Sequence, residues 1–259
     1  MLKNRLKELL DADQPAFGLQ LRFGSPAIVE LVGLAGFDWV LIDSEHAPQT
    51  PVTIQNQLQA AGCTPTTPVV RIGKNDPALI HLYLDMGAMG IAVPFINTPE
   101  EARLGAEACR YPPQGTRGWG PHRAAGYGLH AEAYTEKIND LVMYLPIIET
   151  AEAIENIEGI MAVDGVDSCI VGPVDLCISL GIPFQFDHPA YLDALQRVRD
   201  AAQRAGKPAG LPLLGALDDQ DNIRQQVEQG ARLLLLGGDE PYLVQACRKA
   251  LENHAFLKK

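Results

Sequence analysis

Four short apolar runs in this sequence end in charged residues, and this pattern restricts the fold more than any other feature. The runs begin at residues 39, 67, 143 and 168, and they end at Asp43, Arg71, Glu149 and Asp175. Runs rich in Val, Ile and Leu are typical of strands in a parallel sheet that is covered on both faces. Charged residues at the carboxyl ends of such strands form the active-site rim of a parallel barrel. The pattern therefore indicates an enzyme.

Eight strand-like runs alternate with helix-like segments along the 259 residues. Eight such units in roughly 250 residues predict an α/β fold of the (β/α)8 TIM-barrel type, as a single domain over residues 1–259. A doubly wound open sheet is the alternative architecture. The predicted strands cover residues 16–21, 39–43, 67–72, 90–96, 143–149, 168–175, 207–214 and 231–237. Four helix starts carry a capping residue before proline, at Ser25 and Pro26, Thr50 and Pro51, Asp76 and Pro77, and Thr98 and Pro99.

The segment of residues 111–130 interrupts this regular spacing and is rich in Gly and Pro. A loop of this length in a compact domain is usually functional or mobile. Arg117 and Trp119 lie in a stretch whose glycines resemble an anion-binding turn. We expect this segment to be a functional loop that folds over the site, which would also bring His122 close to it.

Charge and composition exclude several classes of partner. The net charge is −11 and no cluster of Lys and Arg is present, which argues against a nucleic-acid partner. No apolar stretch approaches the roughly 18 residues of a membrane span, and the charged amphipathic N-terminus does not resemble a signal peptide. Five cysteines without C-x-x-C spacing predict reduced thiols and a cytoplasmic protein.

Glu149 and Asp175 are the candidate metal ligands. Carboxylates at the ends of neighbouring barrel strands can share one hard divalent cation, with water or substrate completing its coordination. The alternative is that each carboxylate only caps the helix that follows it. The Gly172 and Pro173 pair, which imposes an unusual backbone just before Asp175, favours the first interpretation.

His46 and Arg71 are the candidate catalytic residues. His46 follows a strand, with carboxylates one and three residues before it, and this position suits proton transfer; an isolated histidine is nevertheless more often structural. Arg71 follows apolar neighbours, so that its burial requires an anion. That anion is a substrate carboxylate, a developing enolate oxygen or a barrel carboxylate such as Asp43.

The sequence lacks the motifs of several other common enzyme mechanisms. It contains no dinucleotide or P-loop glycine motif and no G-x-S-x-G elbow. A Schiff-base mechanism needs a lysine at the barrel rim, and Lys74 is the one plausible candidate. A metal ion is therefore the favoured electrophile.

Six segments, in order and spanning nearly the whole chain, resemble the HpcH/HpaI aldolase family of metal-dependent pyruvate aldolases, which includes 4-hydroxy-2-oxoheptanedioate and 2-dehydro-3-deoxyglucarate aldolases. They are FDWVLIDSEHAP at 37–48, VVR at 69–71, LDMGA at 84–88, YPPQGTRG at 111–118, IET at 148–150 and VGPVDLCISLG at 171–181. The resemblance implies a TIM barrel whose last helix swaps between partners, assembled as a homohexamer from three dimers. Its cofactor would be Mg²⁺, Mn²⁺ or Co²⁺.

The resemblance also assigns roles to individual residues. Glu149 and Asp175 would hold the metal, which pyruvate would chelate, and Arg71 would contact the keto oxygen. His46 would transfer protons, oriented by Asp43 or by Asp85 of a neighbouring subunit. Further substrate contacts are expected from Gly172, Pro173, Arg117 and Trp119.

Four positions depart from the family pattern. Ile147 replaces a common glutamine, Ser44 a common glycine, Cys177 a serine or alanine, and Trp119 a small aliphatic residue. These departures bear on substrate identity, and a bulky Trp119 near the mouth favours a small or apolar aldehyde.

The sequence thus predicts a carbon–carbon lyase of sugar-acid or aromatic catabolism. It would cleave a 4-hydroxy-2-oxo acid reversibly to pyruvate and an aldehyde through a metal-stabilised enolate. The alternatives are an oxaloacetate decarboxylase or a citryl- or malyl-CoA lyase on the same scaffold, and a non-catalytic barrel that binds a keto acid.

Overall fold

Eight parallel strands form a closed barrel in sequential order, with β8 paired to β1. This computed structural model describes residues 2–212 and 220–254. The arrangement confirms the predicted (β/α)8 TIM barrel. The strands are β1 Ala16–Leu21, β2 Trp39–Asp43, β3 Thr67–Arg71, β4 Gly90–Val93, β5 Met143–Ile148, β6 Cys169–Val171, β7 Ala209–Pro212 and β8 Ala231–Gly238.

Helices surround the strands and alternate with them along the chain. A single 3-10 turn at Gly126–Gly128 precedes α6. The helices are α1 Arg5–Asp11, α2 Pro26–Leu34, α3 Pro51–Ala61, α4 Pro77–Asp85, α5 Pro99–Ala108, α6 Ala131–Leu141, α7 Ala151–Glu155, α8 Ile157–Ala162, α9 Pro173–Ser179, α10 Pro189–Arg204, α11 Gln220–Glu228 and α12 Asp239–Asn253.

The predicted capping signals mark the starts of α2, α3, α4 and α5. In α5, the Thr98 hydroxyl accepts a hydrogen bond from the Glu101 N–H at 3.2 Å, and the Glu101 carboxylate accepts one from the Thr98 N–H. This reciprocal box satisfies two backbone donors that the first turn would otherwise leave unpaired. Proline then occupies the first helical position, where its missing N–H has no cost.

The inside of the barrel is an apolar core closed from below by α1. Leu6 and Leu10 of α1 belong to the same buried cluster as Trp39 and Leu41 of β2. The indole of Trp39 fits because Gly18 faces it: a Cβ at Gly18 would lie 2.1 Å from the ring. The amino-terminal end of the barrel is therefore filled, and polar side chains are left to the carboxyl-terminal end.

Several predicted strands extend beyond the observed ones, and β4 and β6 show the largest differences. β6 ends at Val171, so that Asp175 lies in the first turn of α9 and not at the end of a strand. β4 ends at Val93, because Pro94 has no N–H to continue the ladder. In the prediction for β7, residues 213–214 lie outside the described residues.

The long segment of residues 111–130 connects α5 to α6, and α6 leads into β5. The segment is therefore part of the connection that returns to the amino-terminal end of the barrel. Arg123 donates to the carbonyl oxygens of Leu58 (3.0 Å) and Met86 (2.8 Å), which belong to or follow the last turns of α3 and α4. The expectation that this segment folds over the site of its own barrel is wrong. The chain that follows the outer helix and leads into the next strand lies at the face opposite the carboxyl ends of the strands.

The last helix, α12, packs little against its own barrel. Within the described part of the chain, Asp239 at its first position is its one buried residue. Leu243, Val244 and Leu251 are 54%, 50% and 62% exposed. Among the residues that the structure describes, no helix has both the length and the apolar character needed to cross a bilayer.

Candidate active site

The carboxyl ends of β2, β3 and β5 bring three predicted residues to the mouth of the barrel. Alternation along β2 turns Trp39 and Asp43 to the same side, so that Asp43 lies above the apolar core. Asp43 pairs with Arg71 in the parallel register of β2 and β3. Glu149 directly follows β5. One polar layer therefore caps the interior of the barrel.

Asp43 is fully buried and organises two arginines. Arg71 binds it in a fork, with Nε donating to Oδ1 at 3.0 Å and Nη2 donating to Oδ2. Oδ2 also accepts from Gln20 Nε2 at 2.8 Å and from Arg22 Nε at 3.2 Å. The barrel-carboxylate pairing that the sequence left open for Arg71 is thus present.

Main-chain donors complete the surroundings of Asp43. The N–H groups of Glu45 and His46 each donate to Oδ1 at 3.1 Å. Burial alone would raise the pKa of Asp43, but the hydrogen bonds and charge of Arg71, together with these two N–H groups, lower it to about 2. Asp43 is therefore a permanent anion that holds the start of the loop after β2.

Glu149 is almost completely buried, and its two oxygens have different surroundings. Oε1 accepts the backbone N–H of Phe95 at 2.8 Å. Oε2 faces Gly172, where a Cβ would come within 2.6 Å of it. Burial raises the pKa of Glu149 to about 7; the charges of Asp175 and Glu45 raise it further, while the Phe95 N–H acts in the opposite direction.

Asp175 approaches this carboxylate from α9. Gly172 is the N-cap of α9 and Pro173 its first residue, so that Asp175 occupies the third helical position, exposed to solvent. Burial raises the pKa of Glu45, whose carboxylate also lies within the field of Asp175. Three carboxylates thus repel one another across the mouth, with Arg71 as the nearest cation to Glu45, at 3.4 Å.

His46 points outward from the rim. Its side chain is 56% exposed, and Nε2 lies 3.7 Å from Oε2 of Glu45. Asp43 binds the main-chain N–H of His46 and not its ring. Asp43 therefore fixes the backbone of His46, while Glu45 is the carboxylate beside the imidazole.

Asp85, Arg117 and Trp119 lie at the other end of the barrel in the same chain. Arg117 is buried between α4 and α6, where Nη2 donates to Asp85 Oδ1 at 2.7 Å and to the Tyr134 hydroxyl at 3.0 Å. Its guanidinium lies 4.7 Å from the centre of the Tyr111 ring, on which Trp119 packs at 5.7 Å. These residues can reach a site at the strand ends only in a neighbouring subunit.

The structure shows the surroundings of three residues that depart from the family pattern. Ile147 belongs to the apolar interior of the barrel, and Cys177 is buried in the outer core. The Ser44 hydroxyl donates to the carbonyl of Arg71 at 2.6 Å, which ties the ends of β2 and β3 together. Lys74, the Schiff-base candidate, is exposed and pairs with Asp76 at 3.0 Å.

Sequence reasoning missed Gln20, Arg22 and Phe95. Gln20 and Arg22 are polar residues at the end of an apolar strand, and the rule that identified Arg71 could have found them. Phe95 acts through its main chain, which adopts a positive φ of 53°. An aromatic residue carries no sequence signal for that conformation.

Two carboxylates, Glu149 and Asp175, are available to a cation. Over residues 2–212 and 220–254, no group of three or more His, Cys, Asp or Glu side chains has the arrangement of a metal site. A pair without a third protein ligand suits Mg²⁺ or a similar hard cation, which keeps several waters and often takes ligands from the substrate. The space beside Oε2, which a side chain at Gly172 would fill, is consistent with such a site.

Comparison with known proteins agrees with this architecture. The chain is 38% identical over 259 residues (100% of this chain, 97% of the relative) to a 4-hydroxy-2-oxo-heptane-1,7-dioate aldolase of Salmonella arizonae. It is 40% identical over 251 residues (95% and 88%) to a hydroxypyruvate/pyruvate aldolase of Deinococcus radiodurans.

A crystal structure of an HpcH/HpaI aldolase/citrate lyase family protein from Burkholderia cenocepacia superimposes with a TM-score of 0.90. The two chains share 36% identity, and the match covers 97% of this chain and 99% of the other. The sequence profile of the HpcH/HpaI aldolase/citrate lyase family matches residues 17–240. The chain therefore belongs to this family.

Proposed function

We propose that this protein is a metal-dependent aldolase that cleaves a 4-hydroxy-2-oxo acid reversibly into pyruvate and an aldehyde. The observation that carries the proposal is the group of three mutually repelling carboxylates, Glu45, Glu149 and Asp175, that faces Arg71 at the barrel mouth. The chain matches relatives named as aldolases over most of their length.

Glu149 and Asp175 would hold the divalent cation. A bound cation would supply Lewis-acid stabilisation of the negative charge that develops on the 2-oxo acid as its carbon–carbon bond breaks. It would also offset the burial, and the smaller repulsion by Asp175 and Glu45, that raise the pKa of Glu149 to about 7. Mg²⁺, Mn²⁺ and Co²⁺ all suit oxygen ligands of this kind.

Arg71 would bind the substrate through the part of its guanidinium that Asp43 leaves free. Nε and Nη2 are used on Asp43, and Nη1 makes no hydrogen bond to any described residue. A cation fixed in this way stabilises a developing oxyanion without reorganising during the reaction. Asp43 therefore contributes by fixing the orientation of the Arg71 guanidinium. Gln20 and Arg22 in turn fix Asp43 by hydrogen bonds.

Proton transfers complete the reaction. The C4 hydroxyl loses its proton as the bond between C3 and C4 breaks and the aldehyde leaves; C3 of the enolate then gains a proton to give pyruvate. His46, exposed at the rim beside Glu45, is the proposed proton carrier. Gly172 and Pro173 border the same space, and we propose that they contact the bound acid.

We further propose that the protein works in the cytoplasm as a homo-oligomer in which α12 packs on a second copy. The exposed leucines of α12, Leu243 and Leu251, have counterparts on α2, where Leu31 and Leu34 are 64% and 73% exposed. These exposed leucines are the apolar surface that a second copy would cover. A hexamer built from dimers would also allow Asp85, Arg117 and Trp119 to approach the mouth of a neighbouring barrel.

The test is pyruvate release from a panel of 4-hydroxy-2-oxo acids that differ in chain length and terminal charge, with oxaloacetate as the competing substrate. We expect retro-aldol turnover of at least one hydroxy acid to exceed oxaloacetate decarboxylation. Arg71→Lys should reduce both reactions, because both pass through the same enolate charge. Turnover of oxaloacetate alone would assign the protein as a decarboxylase.

A further inference from the structure

Phe95 has an unusual main chain at the barrel mouth. It follows β4 with a φ of 53°, in the left-handed region. Large side chains avoid this region because Cβ then crowds the following carbonyl oxygen. The ring of Phe95 is also 51% exposed, so that burial of the ring does not explain the conformation. Non-glycine residues in such conformations persist where their surroundings hold them, and they cluster at functional sites.

In this conformation the N–H of Phe95 points at Glu149. The donor reaches Oε1 at 2.8 Å, and the same N–H acts to lower the pKa of a carboxylate that burial otherwise raises. Pro94, just before it, has no N–H, so that Phe95 is the first residue after β4 that can donate here. The contact is therefore made by the main chain and does not depend on the chemical nature of the ring.

The second oxygen of Glu149 is kept free on the other side. Oε2 faces Gly172, whose missing Cβ leaves a space that any other residue would fill to within 2.6 Å. Asp175 lies one helical turn beyond Gly172. One oxygen is thus turned toward β4, while the other is presented toward α9.

We propose that Phe95 is a positioning residue whose left-handed main chain makes Glu149 a ligand through one oxygen, Oε2, so that the site selects Mg²⁺ or Mn²⁺ over Ca²⁺. Ca²⁺ takes six to eight oxygens and often both oxygens of a carboxylate, whereas Mg²⁺ requires octahedral geometry with well-separated ligands. A carboxylate that offers one oxygen favours the smaller coordination number. This inference rests on the proposed metal-binding role of Glu149.

The first measurement uses the unmodified protein, stripped of metal and titrated with Mn²⁺ and with Ca²⁺ in a calorimeter. We expect Mn²⁺ to bind at least tenfold more tightly than Ca²⁺. Equal affinities for Mn²⁺ and Ca²⁺ would refute the proposed selectivity, independently of the results for any variant.

The second measurement isolates the N–H of Phe95 with two variants that both remove the ring. Phe95→Gly keeps the N–H and permits a positive φ, and it should retain Mn²⁺ affinity within threefold. Phe95→Pro removes the N–H and fixes φ near −65°, and it should weaken Mn²⁺ binding 10–100-fold, the range typical of lost partners of a metal ligand. It should also narrow the preference for Mn²⁺ over Ca²⁺, because Oε1 becomes available.

Control variants separate failure of this inference from failure of the proposed function. If Glu149→Gln leaves Mn²⁺ affinity unchanged, Glu149 is not a ligand and both proposals fall. If Glu149→Gln abolishes binding while Phe95→Pro matches Phe95→Gly, the proposed metal site stands and the role of Phe95 is refuted. Circular dichroism of each variant establishes whether it is folded. If Phe95→Pro does not fold, the ratio of Mn²⁺ to Ca²⁺ affinity in the unmodified protein still decides the selectivity.

Discussion

Replacement of Asp43 by Asn removes the buried anion that binds both Arg22 and Arg71 at the mouth of the barrel. In the described structure the carboxylate of Asp43 acts only as a hydrogen-bond acceptor, and its donors include Gln20, Arg22 and Arg71. An amide at this position offers one acceptor oxygen and turns its NH2 group toward those donors. The charge of Arg71 is then left without its buried partner.

The structure sets the size of the expected effect. The pKa of Asp43 is about 2 in the folded protein against an ordinary 3.8, and this difference corresponds to about 2–3 kcal/mol of folding free energy. Breaking a buried ion pair by removing one partner typically costs about 3–5 kcal/mol. Because the pKa is lowered, the stabilisation is complete above pH 3.8 and is lost as the pH falls through 2.

Urea unfolding of the protein and of Asp43→Asn, at one protein concentration, measures this difference. We expect Asp43→Asn to lose about 3–5 kcal/mol at pH 7, and the gap to narrow as the pH falls from 5 toward 2. Glu158→Gln, which removes an exposed ion pair with Arg204, should cost about 1 kcal/mol or less. If Asp43→Asn loses less unfolding free energy than Glu158→Gln, or if its loss does not change with pH, Asp43 does not stabilise the fold as a buried anion.

Three further changes test other parts of the account. Gly172→Ala places a Cβ 2.6 Å from Oε2 of Glu149, and Mn²⁺ titration should show affinity reduced at least tenfold; unchanged affinity would mean that Oε2 is not the presented oxygen. Gly18→Ala brings a Cβ to 2.1 Å from the Trp39 ring and should cost about 1–3 kcal/mol in urea unfolding, whereas an unchanged midpoint would contradict the packing described for the barrel interior. Lys74→Ala should keep its rate of pyruvate release within twofold, because Lys74 is exposed and paired with Asp76; loss of activity would revive a Schiff-base mechanism.

The positions of Asp43 and Arg71 followed from apolar runs that end in charged residues. Side chains alternate along a strand, so that a charged residue two positions after a buried interior residue, such as Asp43 or Arg71, faces the mouth of the barrel. The bounds of β1 and β2 agree with prediction to the residue. Both runs are bounded by glycine, proline or aspartate near their ends, which leaves little freedom in their limits.

Other features could not be read from local sequence. The run that ends at Asp175 looks like one strand, but Gly172 and Pro173 start α9 inside it, because proline fits the first turn of a helix as well as the end of a strand. The positive φ of Phe95 depends on its contact with Glu149, which lies 54 residues further along the chain. Such long-range contacts leave no local pattern.

The location predicted for residues 111–130 was wrong for a different reason. Its composition suggested a functional loop, and its position between α5 and β5 already determined that it lies at the amino-terminal end of its own barrel. Chain order, more than composition, indicates which face a loop occupies in this fold. Arg117 and Trp119 therefore remain candidates for contact with substrate only across a subunit boundary.

The most direct test of the central claim is pyruvate release from a 4-hydroxy-2-oxo acid before chelation, after chelation, and after Mn²⁺ is returned, with Glu149→Gln and Asp175→Asn measured in parallel. We expect chelation to abolish release, Mn²⁺ to restore it, and neither variant to recover activity at the same Mn²⁺ concentration. Release that survives complete chelation, or full Mn²⁺-dependent activity in both variants, would contradict that claim.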